Sequence, residues 1–289
     1  MLLDLLKSVL YGIVEGVTEW LPISSTGHLI LLEDIMPFKT ASADFYEMFQ
    51  VVIQFGAIIA VVILFWNKLW PFYSKNSKNT KPLVIGNTQI SFVKNDTIIL
   101  WLKVLAAILP AAVIGLFADD WLNEHLYNKI TVCITLILYG VLFIVVERYN
   151  SKRSPSVTNL SDINYSTAFI IGIFQALAMI PGTSRSGATI LGAILIGASR
   201  PVAAEFSFFL AVPTMLGASL LKMVKFLKVG FNGSGEILIL LVGTIVSILV
   251  SLVVIRALMA YVKKKDFSFF GYYRIALGII VLLAAVLTK

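Results

Sequence analysis

The stretch EGVTEWLPISSTGHL, Glu15 to Leu29, holds two carboxylates, a proline, four hydroxyls and one of the chain's two histidines. Around it the chain is mostly oil. Of 289 residues, 58% are apolar and 13% charged, and the mean hydropathy is +0.91. Soluble domains carry about 25% charged residues. Half that share, drawn out in long apolar runs, means an integral membrane protein. In such a chain a polar cluster is costly unless protein, water or a ligand receives it. The cluster therefore raises both the question of fold and that of function.

Six segments outside it have the apolar length to cross about 30 Å of hydrocarbon as helices. They lie near 45–66, 97–117, 129–148, 205–225, 236–258 and 271–288. Two further regions, 1–35 and 166–198, are apolar but interrupted. Each has a helix-length arm, then a Pro/Gly/Ser cluster, then an arm (28–35 and 188–198) too short to span. That pattern predicts a re-entrant helix–loop–helix, with its irregular backbone buried in protein or facing water. The second cluster is PGTSRSGAT, Pro181 to Thr189.

The two interrupted regions are related. At a shift of 160 residues Gly12 falls on Gly172, Ser24 on Ser184, Gly27 on Gly187 and Leu31 on Leu191. At 161, Gly56-Ala57 falls on Gly217-Ala218. The expected fold is one all-α membrane domain, 1–289, with repeat one over 1–150 and repeat two over 160–289. Each repeat is a hairpin plus three spans. Three is odd, so the second repeat starts on the opposite face, an inverted arrangement common among transporters. Hairpins entering from opposite sides can meet near the midplane.

The net charge of +7 is carried by loops between spans, which points to topology and anionic lipid rather than nucleic acid. The side away from the N-terminus carries twice as many Lys and Arg, with Arg274 counted among them, so that side is expected to be cytoplasmic. The first hairpin and the acidic segment Asp119, Asp120, Glu124, read as a loop together with His125, then face outward. Residues 67–96 read as a polar cytoplasmic excursion. The single cysteine, Cys133, excludes disulfides and cysteine metal clusters. Asp4 and the lack of a small-residue cleavage site argue against a cleaved signal peptide. Trp20, Trp66, Trp70, Trp101 and Trp121 read as interface anchors. Gly56, Gly115, Gly140, Gly217, Gly243 and Gly278 read as helix-packing positions.

The chemistry gathers in the two clusters. Glu15 and Glu19 share one helix face, one turn apart, and repel unless a divalent cation or an Arg joins them. An interfacial helix with both acids in water is the alternative. Pro22 stops the helix, and among Ser24, Ser25 and Thr26 at least one is expected to cap a helix starting near Gly27. Exposed N–H groups at such a start also bind anions. His28 is a candidate acid or base, or a hydrogen-bonded core residue. Arg185, flanked by Ser184 and Ser186 and followed by Gly187 and Thr189, can clamp phosphate oxygens or pair with Glu15 or Glu19. Gln50, Gln54 and Gln175 are polar within spans, and Gln175 matches Glu15 in the repeat. Two acids, a His, hydroxyls, an Arg and two anion-friendly helix starts fit phosphate ester or anhydride hydrolysis.

Together EGVTEWLPISSTGHL and PGTSRSGAT resemble the two signature motifs of the bacterial undecaprenyl-diphosphatase family of the bacitracin-resistance type, over nearly the whole chain. The resemblance implies a multi-pass enzyme of the bacterial cell (inner) membrane. Such an enzyme hydrolyses undecaprenyl diphosphate to undecaprenyl phosphate and phosphate. It thereby recycles the lipid carrier of peptidoglycan synthesis and confers bacitracin resistance, from a site on the outer face supported by a divalent cation. Catalytic roles then fall to Glu19, Ser25, His28 and Arg185. Ser24, Thr26, Gly27, Ser184, Ser186, Gly187 and Thr189 would bind substrate, and Glu15 and Glu19 would hold Mg2+ or Ca2+. Ser25 is the first choice of nucleophile, with His28 or a Glu as base; water activated by Glu19 is the alternative. Lipid phosphatases of the soluble-acid-phosphatase superfamily also use Ser-Arg, but need a following His that SGATILGAILIGAS lacks. A transporter or flippase of an anionic prenyl phosphate lipid is the rival function. The partners expected are the lipid substrate and membrane lipids, without nucleic acid; the subunit number stays open, a homodimer being admitted.

Overall fold

The structure, a computed structural model, describes residues 1–39, 42–73, 82–85 and 88–287. The chain runs through helices α1 (Leu2–Thr18), α2 (Ser25–Ile35), α3 (Ala43–Leu64) and α4 (Trp66–Leu69), then strands β1 (Pro82–Ile85) and β2 (Thr88–Lys94). Next come α5 (Asn95–Leu126), α6 (Lys129–Asn150), a 3-10 turn (Leu160–Asp162), α7 (Tyr165–Leu177), α8 (Arg185–Leu195), α9 (Arg200–Leu227), α10 (Ser234–Tyr261) and α11 (Ser268–Leu287). Several starts carry the expected polar cap. Ser42 accepts from the Phe45 N–H at 3.1 Å, Asn128 from Thr131 at 2.9 Å, and Asn164 from Thr167 at 2.7 Å.

Among the described residues, five helices are long and apolar enough to cross a membrane: Asp44–Leu64, Asn95–Ala118, Lys129–Asn150, Arg200–Leu227 and Ser234–Tyr261. They coincide with five of the six expected spans. The sixth falls on α11, whose stretch Ser268–Leu283 ranks with the shorter apolar helices. Helix α5 differs from expectation. It continues to Leu126 over 32 residues, so Asp119, Asp120, Glu124 and His125 are helical, not loop. Nothing between Ala111 and Leu126 breaks a helix, and Pro110 is accommodated inside it. The described residues of the excursion 67–96 also carry regular structure. They include α4 and the antiparallel pair β1–β2, with Phe72 bridging to Val93.

The helices associate through small residues, as expected where lipid offers no hydrophobic drive between helices. α1 packs on α10, α7 on α5, α6 on α11, and α3 on both α9 and α10. A Cβ on Gly12 would lie 2.5 Å from the Gly243 carbonyl, and one on Gly140 2.7 Å from that of Gly271. A Cβ on Gly172 would lie 2.1 Å from the Ala107 carbonyl. Gly56, Gly243 and Gly278 are equally tight; Gly115 and Gly217 are not, Gly217 having nothing within 4 Å of a built Cβ. Trp20 corrects another expectation. It is fully buried, edge-on to Phe208 at 5.2 Å, in the main core rather than at an interface.

Candidate active site

The site forms where two short helices begin. α1 ends at Thr18, and the chain turns through Glu19 to Ile23 before α2 opens at Ser25. α7 ends at Leu177 and α8 opens at Arg185. Both openings use the same device. Ser24 (φ 73°) and Ser184 (φ 70°) occupy left-handed backbone, and they are the non-glycine residues with positive φ among those described. Such conformations cost of order 1–3 kcal/mol each and concentrate at functional sites. Each serine repays part of this by capping its helix: Ser24 Oγ accepts from the Gly27 N–H at 3.3 Å, Ser184 Oγ from Gly187 at 3.1 Å. The capping role expected of one hydroxyl thus falls to Ser24, and to its counterpart in the second cluster.

The tips of the two hairpins are joined directly. Glu19 is buried and divides its carboxylate: Oε2 accepts from Ser25 Oγ at 3.0 Å and Oε1 from Arg185 Nη2 at 3.1 Å. Arg185 also donates through Nη1 to the Ser207 carbonyl at 2.9 Å. Ser186 Oγ donates to the Glu19 carbonyl at 3.0 Å, and Ser184 and Ser186 hydroxyls lie 3.2 Å apart. Thr189 donates back to the Arg185 carbonyl at 2.9 Å and lies 2.6 Å from the Ser207 hydroxyl. Thr26, half-buried in the first turn of α2, stands beside this network without being part of its links.

His28 is held separately. Nδ1 lies 2.7 Å from the Ser24 carbonyl and Nε2 2.7 Å from the Tyr273 hydroxyl, with the two rings stacked at 5.7 Å. A carbonyl only accepts, so Nδ1 carries a proton, and a neutral ring receives the Tyr273 hydroxyl proton at Nε2. The carboxylate that accepts from Ser25 Oγ is that of Glu19.

The remaining polar atoms make the case for a ligand. Among the described residues, the buried side-chain N and O atoms without a hydrogen-bond partner belong to Glu15, Trp20, Gln175, Thr183, Arg185 and Arg274. Five of these residues lie in or beside the two clusters, and the sixth, as shown below, donates to both turns. Leaving one such group unsatisfied costs about 1–3 kcal/mol, a penalty a phosphate-bearing molecule or an ion would relieve. Glu15 is fully buried with both carboxylate oxygens free. Among the described residues no group of three or more His, Cys, Asp or Glu forms a metal cage. One free carboxylate beside an incoming diphosphate nevertheless suits a hard cation, which commonly takes one or two carboxylates and completes its shell with phosphate oxygens and water.

Four contributors carry no motif. Ser207 sits in the apolar run of α9, and Thr135 in α6 donates to the Pro181 carbonyl at 2.7 Å. Tyr273 and Arg274 come from α11. Arg274 was expected in a cytoplasmic loop but is fully buried, donating to the Pro22 carbonyl at 3.2 Å and to those of Gly182 and Thr183 at 2.9 Å. A helix of 20 residues places it inside the protein, and only the packing of α11 on α6 brings it to the turns. A cavity of about 520 Å3 lined by Glu147, Arg153, Arg200 and Lys263 contains none of the motif residues.

The chain is similar to proteins named undecaprenyl-diphosphatase. That of Enterococcus faecalis is 54% identical over 282 residues, 97% of each chain. That of Acetivibrio thermocellus is 55% identical over 283 residues, 98% of each. That of Streptococcus mutans is 53% identical over 280 residues, 96% of this chain and 95% of its own. Residues 8–280 match the family described as bacitracin resistance protein BacA, spanning both serine-capped turns and the first part of α11. On the match of nearly its whole length, this chain belongs to the BacA family of bacitracin resistance proteins.

Proposed function

We propose that this membrane protein hydrolyses undecaprenyl diphosphate to undecaprenyl phosphate and inorganic phosphate, and so supports carrier recycling for peptidoglycan and bacitracin resistance. One observation carries the reading at the level of residues: Glu19 links Ser25 of the first turn to Arg185 of the second. The terminal phosphoryl of the substrate would enter between the turns. Arg185, whose planar fork suits phosphate oxygens, and the N–H groups opening α2 and α8 would stabilise the charge that develops on it. Ser25 Oγ would give its proton to Glu19 and bond to the terminal phosphorus. The bond from that phosphorus to the bridging oxygen breaks, and undecaprenyl phosphate leaves with the electron pair. Glu19 would pass that proton to phosphate oxygen as the leaving group departs, then take a proton from the water that attacks the phosphoserine and return it to Ser25 Oγ as inorganic phosphate leaves. Direct attack by a water held on Glu19 keeps the same residues in place and omits the phosphoserine. His28, with Tyr273, would hold the Ser24 turn in place.

A bound Mg2+ or Ca2+ would neutralise phosphate charge. Glu15 is the residue to hold it, with Glu19 able to join once Arg185 turns to the substrate. Ser24, Thr26, Gly27, Ser184, Ser186, Gly187 and Thr189 would shape the anion pocket through backbone N–H groups and hydroxyls.

The two halves are read as inverted repeats with re-entrant hairpins α1–α2 and α7–α8. Supporting this, α1 packs on α10 while its counterpart α7 packs on α5, the counterpart of α10. Ser24 and Ser184 share one backbone conformation at the matching positions. With the charge-rich side cytoplasmic, the Ser25 turn faces outward. The same symmetry favours lipid transport as a second reading. Phosphate release by purified protein in detergent supports hydrolysis; no release, with prenyl phosphate moving across proteoliposomes, would replace it.

A further inference from the structure

Arg274 is a full positive charge buried to 0% exposure, and none of the ion pairs among the described residues involves it. Burying an ion costs several kcal/mol unless fixed dipoles replace its water. The dipoles here are three backbone carbonyls, and their origin is informative. Pro22 belongs to the turn between α1 and α2; Gly182 and Thr183 belong to the turn between α7 and α8. One guanidinium thus grips both turns that carry Glu19, Ser25 and Arg185. The fork is needed for this, because Nη1 serves one turn and Nη2 the other. The Tyr139 ring faces the guanidinium at 5.5 Å. A Cβ on Gly187, in the first turn of α8, would lie 3.0 Å from Nη1. The guanidinium therefore packs against the first turn of α8, where the Gly187 N–H is held by the Ser184 cap.

We propose that Arg274 is a positioning residue for the hydrolysis assigned above: it fixes the distance between the two turns and backs the α8 N-terminus with positive charge. The inference rests on the two-turn reading of the site. Charge alone would not suffice. Lys places three donors on one nitrogen and cannot bridge two turns as a planar fork does. A misplacement of about 1 Å between reacting groups costs on the order of 100-fold in rate.

The test compares purified wild type, Arg274→Lys, Arg274→Gln and Arg185→Lys for phosphate release from undecaprenyl diphosphate in detergent, with size-exclusion profile and Tm measured on each. Arg274→Lys, which keeps the charge, is expected to fold and to lose about 100-fold in kcat with KM within a few-fold of wild type. Arg274→Gln is expected to lose at least as much in kcat and to raise KM as well. A merely structural role would lower Tm and the yield of folded protein while leaving kcat per folded molecule intact, and that result overturns the proposal. If Arg274→Gln does not fold, Arg274→Lys decides alone. Inactive Arg185→Lys beside normal Arg274→Lys removes the inference only. Full activity in Arg185→Lys removes the two-turn site and the inference with it.

Discussion

Replacing Glu19 by Gln tests the centre of the site with a change of one atom. The carboxylate now accepts Ser25 Oγ at 3.0 Å on one oxygen and Arg185 Nη2 at 3.1 Å on the other. The amide offers one acceptor and one donor. Arg185 carries only donors, so the amide oxygen must face it. The amide nitrogen then faces Ser25, which loses its proton acceptor. Two costs follow. Loss of a positioned general base costs about 100- to 10,000-fold. Arg185 also loses its counter-charge, and both partners are well buried, with side-chain exposures of 12% for Arg185 and 8% for Glu19. Removing one member of a buried pair costs about 3–5 kcal/mol, part of it expressed as instability. We expect kcat to fall about 1,000-fold, some 4 kcal/mol in barrier, with the protein still monodisperse and a lower Tm. The assay is colorimetric phosphate release from undecaprenyl diphosphate in detergent, with enzyme concentration corrected for the folded fraction. A kcat within tenfold of wild type would refute Glu19 as the base, whatever the stability change.

Ser25→Ala separates the two chemical routes: loss of about 1,000-fold in kcat and of an acid-stable phosphoserine, trapped by quenching wild type in turnover, supports covalent catalysis, whereas near-normal turnover supports attack by water. Glu15→Gln should raise Tm by a few degrees while abolishing the response of activity to added Mg2+ or Ca2+, because a fully buried carboxylate without a partner destabilises the empty protein. Lower stability in Glu15→Gln would show that the carboxylate has a partner. Chelation with EDTA should stop phosphate release by wild type, and restoration by Mg2+ or Ca2+ is read in the same assay. Gly182→Ala should cost stability and activity together, since φ is +85° there and a Cβ would stand 2.2 Å from Thr135 Oγ1; an active variant with unchanged Tm would contradict the geometry of the second turn.

Much of this molecule can be read without coordinates. Membrane spans follow from apolar length, because hydrocarbon thickness fixes the number of residues a helix needs. The breaks at Pro22 and at Pro181-Gly182 follow from local backbone chemistry. That one of Ser24, Ser25 and Thr26 caps a helix is legible, because hydroxyls before an N-terminus commonly cap it, but that Ser24 does so, and Ser184 likewise, is not. Glycine positions were legible only in part. Gly140 meets the backbone of a facing helix while Gly217 faces open space, and the sequence around the two does not differ in kind.

Whatever depends on neighbours along the chain is legible in the sequence: helices, breaks and the residue types that fit phosphate chemistry. Partnership, by contrast, is set by how the helices pack. Glu19 could have met a cation, Arg185 or water, and the fold gives it Arg185 and Ser25. His28 could have served Ser25, and the fold instead commits its ring to the Ser24 carbonyl and Tyr273. Arg274 read as one more loop charge, and the packing of α11 on α6 turned it into the bridge between both turns. The physical reason is range. Propensity and hydropathy act over a few residues, whereas a hydrogen bond spanning 252 positions in the chain exists only once the helices have packed.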